Sequence, residues 1–545
     1  MHKKWWKEAV VYQIYWRSFY DSDGDGYGDL QGVLSKLDYI KKLGIDVIWL
    51  NPFYESPDRD NGYDISNYYG IMEKAGDIEI FEKLIKEIHN RGLKVIMDLV
   101  VNHTSDQHPW FIESKSSRNN PKRDWYIWHD SKNGQAPNNW RSYFAPSSWE
   151  YDEQTDQYYF HSFAVEQPDL NWENPELRQE IYKMMRYWLD KGIDGFRMDV
   201  INLLAKQEGF PDAKEPSNIS YLGNNPGIHD YLQEMYREVL QQYDVMTVGE
   251  IPFVTPEDGL LYVGEDRNEL NTLFHFEVAD DMPTWDMLRY KEIQNRWYQG
   301  LKGKGWNSQF LNNHDHTRQV TRYGNDQEFR VESAKLLATM IHTLPGTPYI
   351  YQGEEIGMTG VRFETIHDYN DIAMKNKYKE EVEKGRDPQE VFESLLLLSR
   401  DNSRTPMQWN DKSQAGFTSG KPWIKVNPNY KEINVEAALN DPKSVFFYYQ
   451  KLISLRKQHD VMVYGDFIDL SPGDEQLYVY TRSNNETTWL IVLNHSDHVV
   501  EYHLPEDFKE KERKIIIGNY DNPDVEQGNI LKLQPHEARV YDLLT

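Results

Sequence analysis

Arg197 and Asp199 lie two residues apart in Gly195-Phe196-Arg197-Met198-Asp199-Val200-Ile201, a run that reads as a buried strand ending in charge. Side chains alternate along a strand, so the two point to one face. A guanidinium beside a carboxyl lowers its pKa and keeps it ionised near neutrality. A carboxylate nucleophile needs that state. Seen alone, such a pair is more often a structural ion pair. Two further carboxyls bear on the choice: Glu250 closes DVMTVGEI and Asp315 closes SQFLNNHD. Each ends a strand-like segment far from the others in sequence. Two carboxyls flanking a scissile bond, one ionised and one protonated, are the minimum kit for glycoside hydrolysis. Arg197 marks Asp199 as the ionised member. Glu250 follows Val248 and Gly249 without an adjacent cation, which suits the protonated one.

A second cluster has a different chemistry. Asp21, Asp23, Asp25 and Asp29 alternate with small residues, and Gly24, Gly26 and Gly28 allow a tight curl. Oxygen ligands at alternate positions suit Ca²⁺, with the Tyr27 carbonyl as a further ligand. Gly32 stands where an EF-hand loop would close with glutamate, so this is not a full EF-hand. The ion is expected to be structural; a bare acidic turn is the competing reading.

The elements that must position these groups follow one plan. DLQGVLSKLDYIKKLG, DIEIFEKLIKEIHNRG and NPELRQEIYKMMRYWLDKG space apolar residues as helices do and stop at Gly44, Gly92 and Gly192. A short apolar strand with a polar end follows each glycine. Eight such strands can be counted: VVYQIYWRSF, DVIWLNP, KVIMDLVVNH, GFRMDV, DVMTVGEI, TLFHFEV, SQFLNNHD and TPYIYQGEE. Eight is the number of a (β/α)₈ TIM barrel, whose active site lies at the C-terminal strand ends. An open doubly wound sheet is the alternative, but no glycine-rich phosphate loop follows the first strand. The barrel is expected over residues 1–103 and 168–465. An irregular β-containing domain rich in Trp, Tyr and Asn is expected at 104–167, after strand three. A polar insertion spans about 358–428. Short alternating strands at 466–545 predict a C-terminal antiparallel β-sandwich.

The 545 residues are too many for one core. Seventeen Trp and 37 Tyr offer flat amphipathic rings that suit sugar faces. Sixty Lys and Arg against 88 Asp and Glu leave a net charge of -28, which argues against nucleic acid and anionic membranes as partners. The absence of cysteine excludes disulfides and thiolate chemistry. No secretory signal and no long apolar span are recognisable, so the cytoplasm is the expected compartment. A monomer or weak oligomer acting on a small oligosaccharide is expected.

The chain resembles the α-amylase family of glycoside hydrolases, in its oligo-1,6-glucosidase/α-glucosidase branch. DLVVNH, GFRMDV, VGEI and NNHD match the four family motifs in order, QPDLNW matches the branch motif, and DNGYDI and RTPMQW also match. The likeness covers essentially the whole chain. It implies Asp199 as nucleophile, Glu250 as general acid/base and Asp315 as a third carboxylate stabilising the transition state. It implies that His103 and His314 bond the sugar, that Asp60 and Arg404 clamp its non-reducing end, and that Tyr63 stacks on the ring. Phe163 and Gln167 are weaker candidates of the same site. The acidic loop also resembles the branch's calcium loop. HDHTRQV and EIPFV depart from the commonest family versions and border the leaving-group side.

Valine after the nucleophile, here Val200, accompanies α-1,6 cleavage in similar proteins, and a stiff β-branched side chain would narrow the wall there. The expected activity is therefore exo-acting, retaining hydrolysis of terminal α-1,6 bonds in isomaltose-type sugars. Rivals in the same fold are an α-1,4-glucosidase, a dextran glucosidase, a trehalose-6-phosphate hydrolase and a sucrose isomerase. The phosphate substrate would want a basic pocket, and the isomerase an arginine-rich loop after the Asp315 motif, where TRYGND offers Arg322 alone. An inactive glucan-binding homologue would lack a catalytic carboxylate.

Overall fold

The computed structural model describes residues 2–509, 511–521 and 529–544. Parts of the expected last domain (510, 522–528 and 545) therefore lie outside the described residues. Eight parallel strands form the central sheet: β1 (Val11–Ile14), β2 (Val47–Leu50), β3 (Lys94–Leu99), β4 (Gly195–Met198), β5 (Met246–Glu250), β6 (Thr272–Phe274), β7 (Ser308–Gln309) and β8 (Thr347–Tyr351). Their order is β6-β5-β4-β3-β2-β1-β8-β7, and a parallel bridge from Leu273 to Asn307 joins β6 to β7. The sheet thus curls into the (β/α)₈ barrel.

Alternation along the strands explains where the charged ends point. Val11, Val47, Trp49, Ile96, Met246 and Val248 pack together inside the barrel. Their neighbours Tyr12, Ile48, Leu50, Val95, Met97, Phe196 and Met198 join the core between strands and helices. Arg197 and Asp199 alternate with Phe196 and Met198 and so face the interior, as Glu250 does two residues after Val248. Asp98, Arg197 and Val248 share one register level across β3, β4 and β5.

The helices between strands are set by their caps. Asp77 accepts from Ile80 N at the start of Ile78–Asn90, and Asn174 accepts from Glu176 N and Leu177 N at the start of Pro175–Asp190. The first expected helix is two, Leu30–Ser35 and Leu37–Leu43, broken at Lys36. Several strand expectations were longer than the strands found, the first and seventh with consequences for the site. The end of the first candidate is a 3₁₀ turn at Trp16–Ser18. The seventh strand stops at Gln309, so Asp315 lies on the loop six residues beyond it rather than at a strand end. Apolar residues alone do not keep a strand paired where its neighbours diverge.

Between β3 and β4, helix Pro109–Ser116 and strands Trp128–His129, Trp149–Asp152 and Gln157–Phe160 form a small antiparallel unit. Bridges from His103 to Asp169 and Tyr126 to Leu170 fasten its stem to the barrel rim. The polar insertion folds as two helices, Ile372–Glu383 and Pro388–Leu395, around Val361, Phe363, Tyr369, Met374, Phe392, Leu396 and Ile424.

The C-terminal strands are β9 (Asp466–Asp469), β10 (Leu477–Ser483), β11 (Thr488–Asn494), β12 (Val500–His503), β13 (Arg513–Gly518), β14 (Ile530–Leu533) and β15 (Ala538–Leu543). One antiparallel sheet runs β9-β10-β11-β15-β13, and β12 pairs with β14. Leu477, Val479, Leu490 and Val492 meet Leu531 and Leu533 between the two sheets. The alternate residues, Tyr478, Tyr480, Trp489 and Ile491, join the barrel's core instead. No helix among the described residues is long and apolar enough to cross a membrane.

Candidate active site

The C-terminal barrel ends bring Asp199, Glu250 and Asp315 into one cup. Asp60, Tyr63, His103, Phe144, Phe163, Val200 and Arg400 complete its lining, around about 370 Å³ of atom-free space. Of the sequence-derived residues, Gln167, Arg197, His314 and Arg404 stand behind this lining rather than in it.

Arg197 is the hub. One Nη1 atom reaches Asp98 Oδ1 at 2.5 Å and Asp199 Oδ1 at 2.6 Å, while Nη2 reaches Glu250 Oε2 at 2.5 Å. This corrects the expectation that Glu250 has no cation beside it: alternation hid a contact made across strands. Arg197 alone therefore does not separate the two carboxyls. Burial pushes both Asp199 and Glu250 up, and Arg197 opposes the rise in each. Glu250 ends higher, because the charges of Asp199 and Asp315 add to its burial. Asp199 rises less, to about 6 against about 8 for Glu250. A shared proton thus sits on Glu250.

Val200 has φ 33° and ψ 45°, a left-handed conformation that is costly for a β-branched residue. The turn aims Val200 N–H at Glu250 Oε2, 3.1 Å away. Strain next to Asp199 is thus coupled to the placement of Glu250.

Asp315 has the opposite electrostatics. Burial opposes its ionisation, but His314, Arg404 and Arg400 outweigh burial and hold it well below the usual carboxylate range. Gln13 donates to His314 Nδ1 at 2.9 Å, so the proton sits on Nε2, facing Asp315 Oδ2 at 3.0 Å and Tyr63 OH at 2.8 Å. Tyr63 and His314 rings stack with centroids 5.4 Å apart. Asn102 likewise donates to His103 Nδ1, leaving Nε2–H for the Tyr63 carbonyl at 3.1 Å. Burial lowers the pKa of both histidines, which keeps the imidazoles neutral.

Asp60 and Arg404 were expected to form a pair. The structure places Arg404 behind Asp315, with Nη2 to Asp315 Oδ1 at 2.6 Å and Nε to the His314 carbonyl at 2.9 Å. The guanidinium facing Asp60 is Arg400, whose Nη1 lies 3.4 Å from Asp60 Oδ1. Gln167, fully buried, donates to Asp60 Oδ2 at 3.1 Å from the other side. Phe144 lies under the Arg400 guanidinium at 5.0 Å, and Phe163 packs on His103 at 5.0 Å. Arg400, Phe144 and Asp98 were missed as site residues. Arg400 precedes the RTPMQW signature by one helical turn, and Asp98 opens DLVVNH, so both carried a signal; Phe144 carried none.

In the acidic loop, carboxylate oxygens of Asp21, Asp23 and Asp29 lie within 4.8 Å of one another. Asp25 falls outside that group, its Oδ1 accepting from Tyr27 N at 2.7 Å. Gly26 has φ 98°, and a Cβ there would stand 2.0 Å from the Lys421 carbonyl oxygen, so the curl needs glycine. Three converging hard oxygens in a glycine-permitted curl fit a calcium-sized cation.

The barrel with three carboxyls at its mouth is the architecture of a retaining or inverting glycosidase. A model of the α-amylase catalytic domain matches residues 13–465, and one of the maltogenic amylase C-terminal domain matches 467–540. The chain belongs to the α-amylase family of glycoside hydrolases. It is 54% identical to the oligo-1,6-glucosidase of Parageobacillus thermoglucosidasius, with 100% of both chains covered. The crystal structure of the isomaltulose synthase from Protaminobacter rubrum superposes with a TM-score of 0.97 at 44% identity, and that of the Bacillus licheniformis trehalose-6-phosphate hydrolase with 0.96 at 46%, each covering 100% of both chains.

Proposed function

We propose that the protein is a retaining exo-α-glucosidase that removes glucose from the non-reducing end of short α-1,6-linked oligosaccharides in the cytoplasm. The grip of Asp199 Oδ1 and Glu250 Oε2 on the two Nη atoms of one guanidinium, Arg197, carries the stereochemical part of this reading. Carboxyls that close leave no room for the intervening water of an inverting enzyme, and suit the separation of about 5–5.5 Å used in double displacement. Asp199 attacks the anomeric carbon while Glu250 protonates the leaving oxygen. A β-glucosyl-enzyme forms, and water deprotonated by Glu250 then releases α-glucose. Asp315, held ionised, grips ring hydroxyls as charge develops. Asp60 and Arg400 close the far end against a longer chain, which makes the action exo.

The relative named oligo-1,6-glucosidase and Val200 support the α-1,6 linkage. Two alternatives have less support. Among the described residues Arg400 is the one Lys or Arg lining the cup, and three carboxylates, Asp60, Asp315 and Asp371, surround it, so no net positive charge awaits a phosphate. Arg322, the one arginine of TRYGND, where an isomerase reading wants several, is spent on the carbonyls of Ala279 and Met282. Purified enzyme should release glucose from isomaltose and panose faster than from maltose, trehalose 6-phosphate or sucrose, with the α-anomer appearing first by NMR. A β-anomer product, or preference for the phosphorylated sugar, would overturn the assignment.

The loop carrying Asp21, Asp23 and Asp29 would hold Ca²⁺ in a structural role, far from any reacting atom. Chelation should lower the melting temperature and added Ca²⁺ should restore it. An unchanged transition, with no calcium found by elemental analysis, would remove the ion.

A further inference from the structure

Arg400 needs something to aim it, because a guanidinium on a loop has several rotamers to choose from. Its Nε donates to Asp371 Oδ1 at 2.8 Å, and its own backbone N–H donates to Asp371 Oδ2 at 2.9 Å. Both carboxylate oxygens of Asp371 are thus committed to one residue. Asp371 is 1% exposed and caps the helix Ile372–Glu383, where Oδ1 also accepts from Ala373 N. The loop carrying it is fixed in turn by Asp401, whose Oδ2 accepts from Asn370 N and Asp371 N.

With Nε and the backbone held this way, Nη1 is left for the cup. Nη1 reaches toward Asp60 and Asp315 at 3.4 and 3.5 Å, long for charge-assisted bonds. Nη2 is buried and has no partner among the described residues. Nη1 is therefore the atom that can exchange its long contacts for a sugar hydroxyl in the cup. The helix capped by Asp371 is also tied to the opposite wall. Asn376 donates to the Phe144 carbonyl at 2.9 Å, and Arg141 pairs with Glu380 at 3.3 Å.

We infer that Asp371, which does not line the cup, is a positioning residue for substrate recognition: it fixes the Arg400 guanidinium with Nη1 turned toward the terminal sugar. The inference rests on the reading of the cup as the terminal-glucose site. Burial would raise the Asp371 carboxyl, but Arg400 and Arg404 outweigh it and keep the group ionised. The polar insertion therefore contributes to specificity through a side chain that never meets substrate.

A double-mutant cycle tests this with kcat/KM for p-nitrophenyl α-glucoside and the competitive inhibition constant of glucose. Asp371→Ala should lower kcat/KM about tenfold or more and weaken glucose inhibition in parallel, the scale of coupling between contacting residues. In an Arg400→Ala background the same change should alter neither constant beyond about twofold. Asp371→Asn keeps the volume and one acceptor, so it should fall between, and it serves if Asp371→Ala does not fold. Additive effects in the two backgrounds, or a harmless Asp371→Ala where Arg400→Ala is damaging, would overturn the positioning role alone. Arg400→Ala without effect on either constant would overturn the reading of the cup and this inference with it.

Discussion

Two carboxyls of the same chemical type are told apart at the active site by their surroundings. Glu250 is pushed up by burial and by its acidic neighbours, and Asp199, buried beside the Arg197 guanidinium, rises less. The active form therefore needs a proton on the pair, and kcat/KM should be bell-shaped in pH. Activity should fall on the alkaline side as the raised Glu250 carboxyl loses its proton. It should fall on the acid side as Asp199 gains one, at a pH above the ordinary aspartate range. Both limbs belong to the coupled pair rather than to single residues. Glu250→Gln should abolish the alkaline limb along with most of the turnover of poor leaving groups, and a surviving alkaline limb would assign the acid elsewhere. Val200→Ala should shift the isomaltose-to-maltose ratio toward maltose, as measured by kcat/KM for both sugars; an unchanged ratio would reduce Val200 to packing. Much of this was legible in the sequence, because strand alternation puts Arg197, Asp199 and Glu250 on inward faces. The partners of Arg197 and Asp60 were not, since contacts between segments 50 to 340 residues apart leave no local periodicity.

At the level of elements, the sequence was most informative where periodicity and punctuation agree. The helices ending near Gly92 and Gly192 and the short strands after them follow from that agreement. It was least informative beyond β7, where SQFLNNHD reads as one strand but pairs over two residues. The insertion was legible only as polar composition, because its small core draws on residues spread from Val361 to Ile424. β4 is placed tightly enough to make a prediction. A Cβ on Gly195 would lie 1.8 Å from the Met246 carbonyl oxygen on β5. Gly195→Ala must spread these two strands, which carry Glu250 and lead into Asp199. It should destabilise the protein by about 3 kcal/mol, the range of overpacking in a filled core, and reduce turnover more than a remote substitution of equal cost. Urea denaturation combined with kcat would show both effects; unaltered stability would mean that the strands yield more easily than the geometry allows.

Across the whole molecule, the C-terminal sheet is buried on both faces, one against β12 and β14 and the other against the barrel. Tyr480 OH meets Thr343 Oγ1 at 2.5 Å, and Arg482 donates to carbonyl oxygens of Thr343, Met462, Val463 and Gly465. The sequence showed the strands of this domain but not what they cover, since continuous apolar burial looks alike whatever lies opposite. Truncation after Gly465 should expose the core around helix Arg330–Thr343 and yield aggregated protein. A soluble, active truncation product by size-exclusion chromatography would refute that dependence.

The closed end formed by Asp60 and Arg400 gives the reaction chamber a single door. The fragment bound nearest that door must depart before the trapped monosaccharide can follow, so the order of release is fixed by geometry. Until then a second sugar alcohol entering by the same route competes with water for the covalent intermediate, and the balance between cleavage and new bond formation becomes a question of how crowded the doorway is.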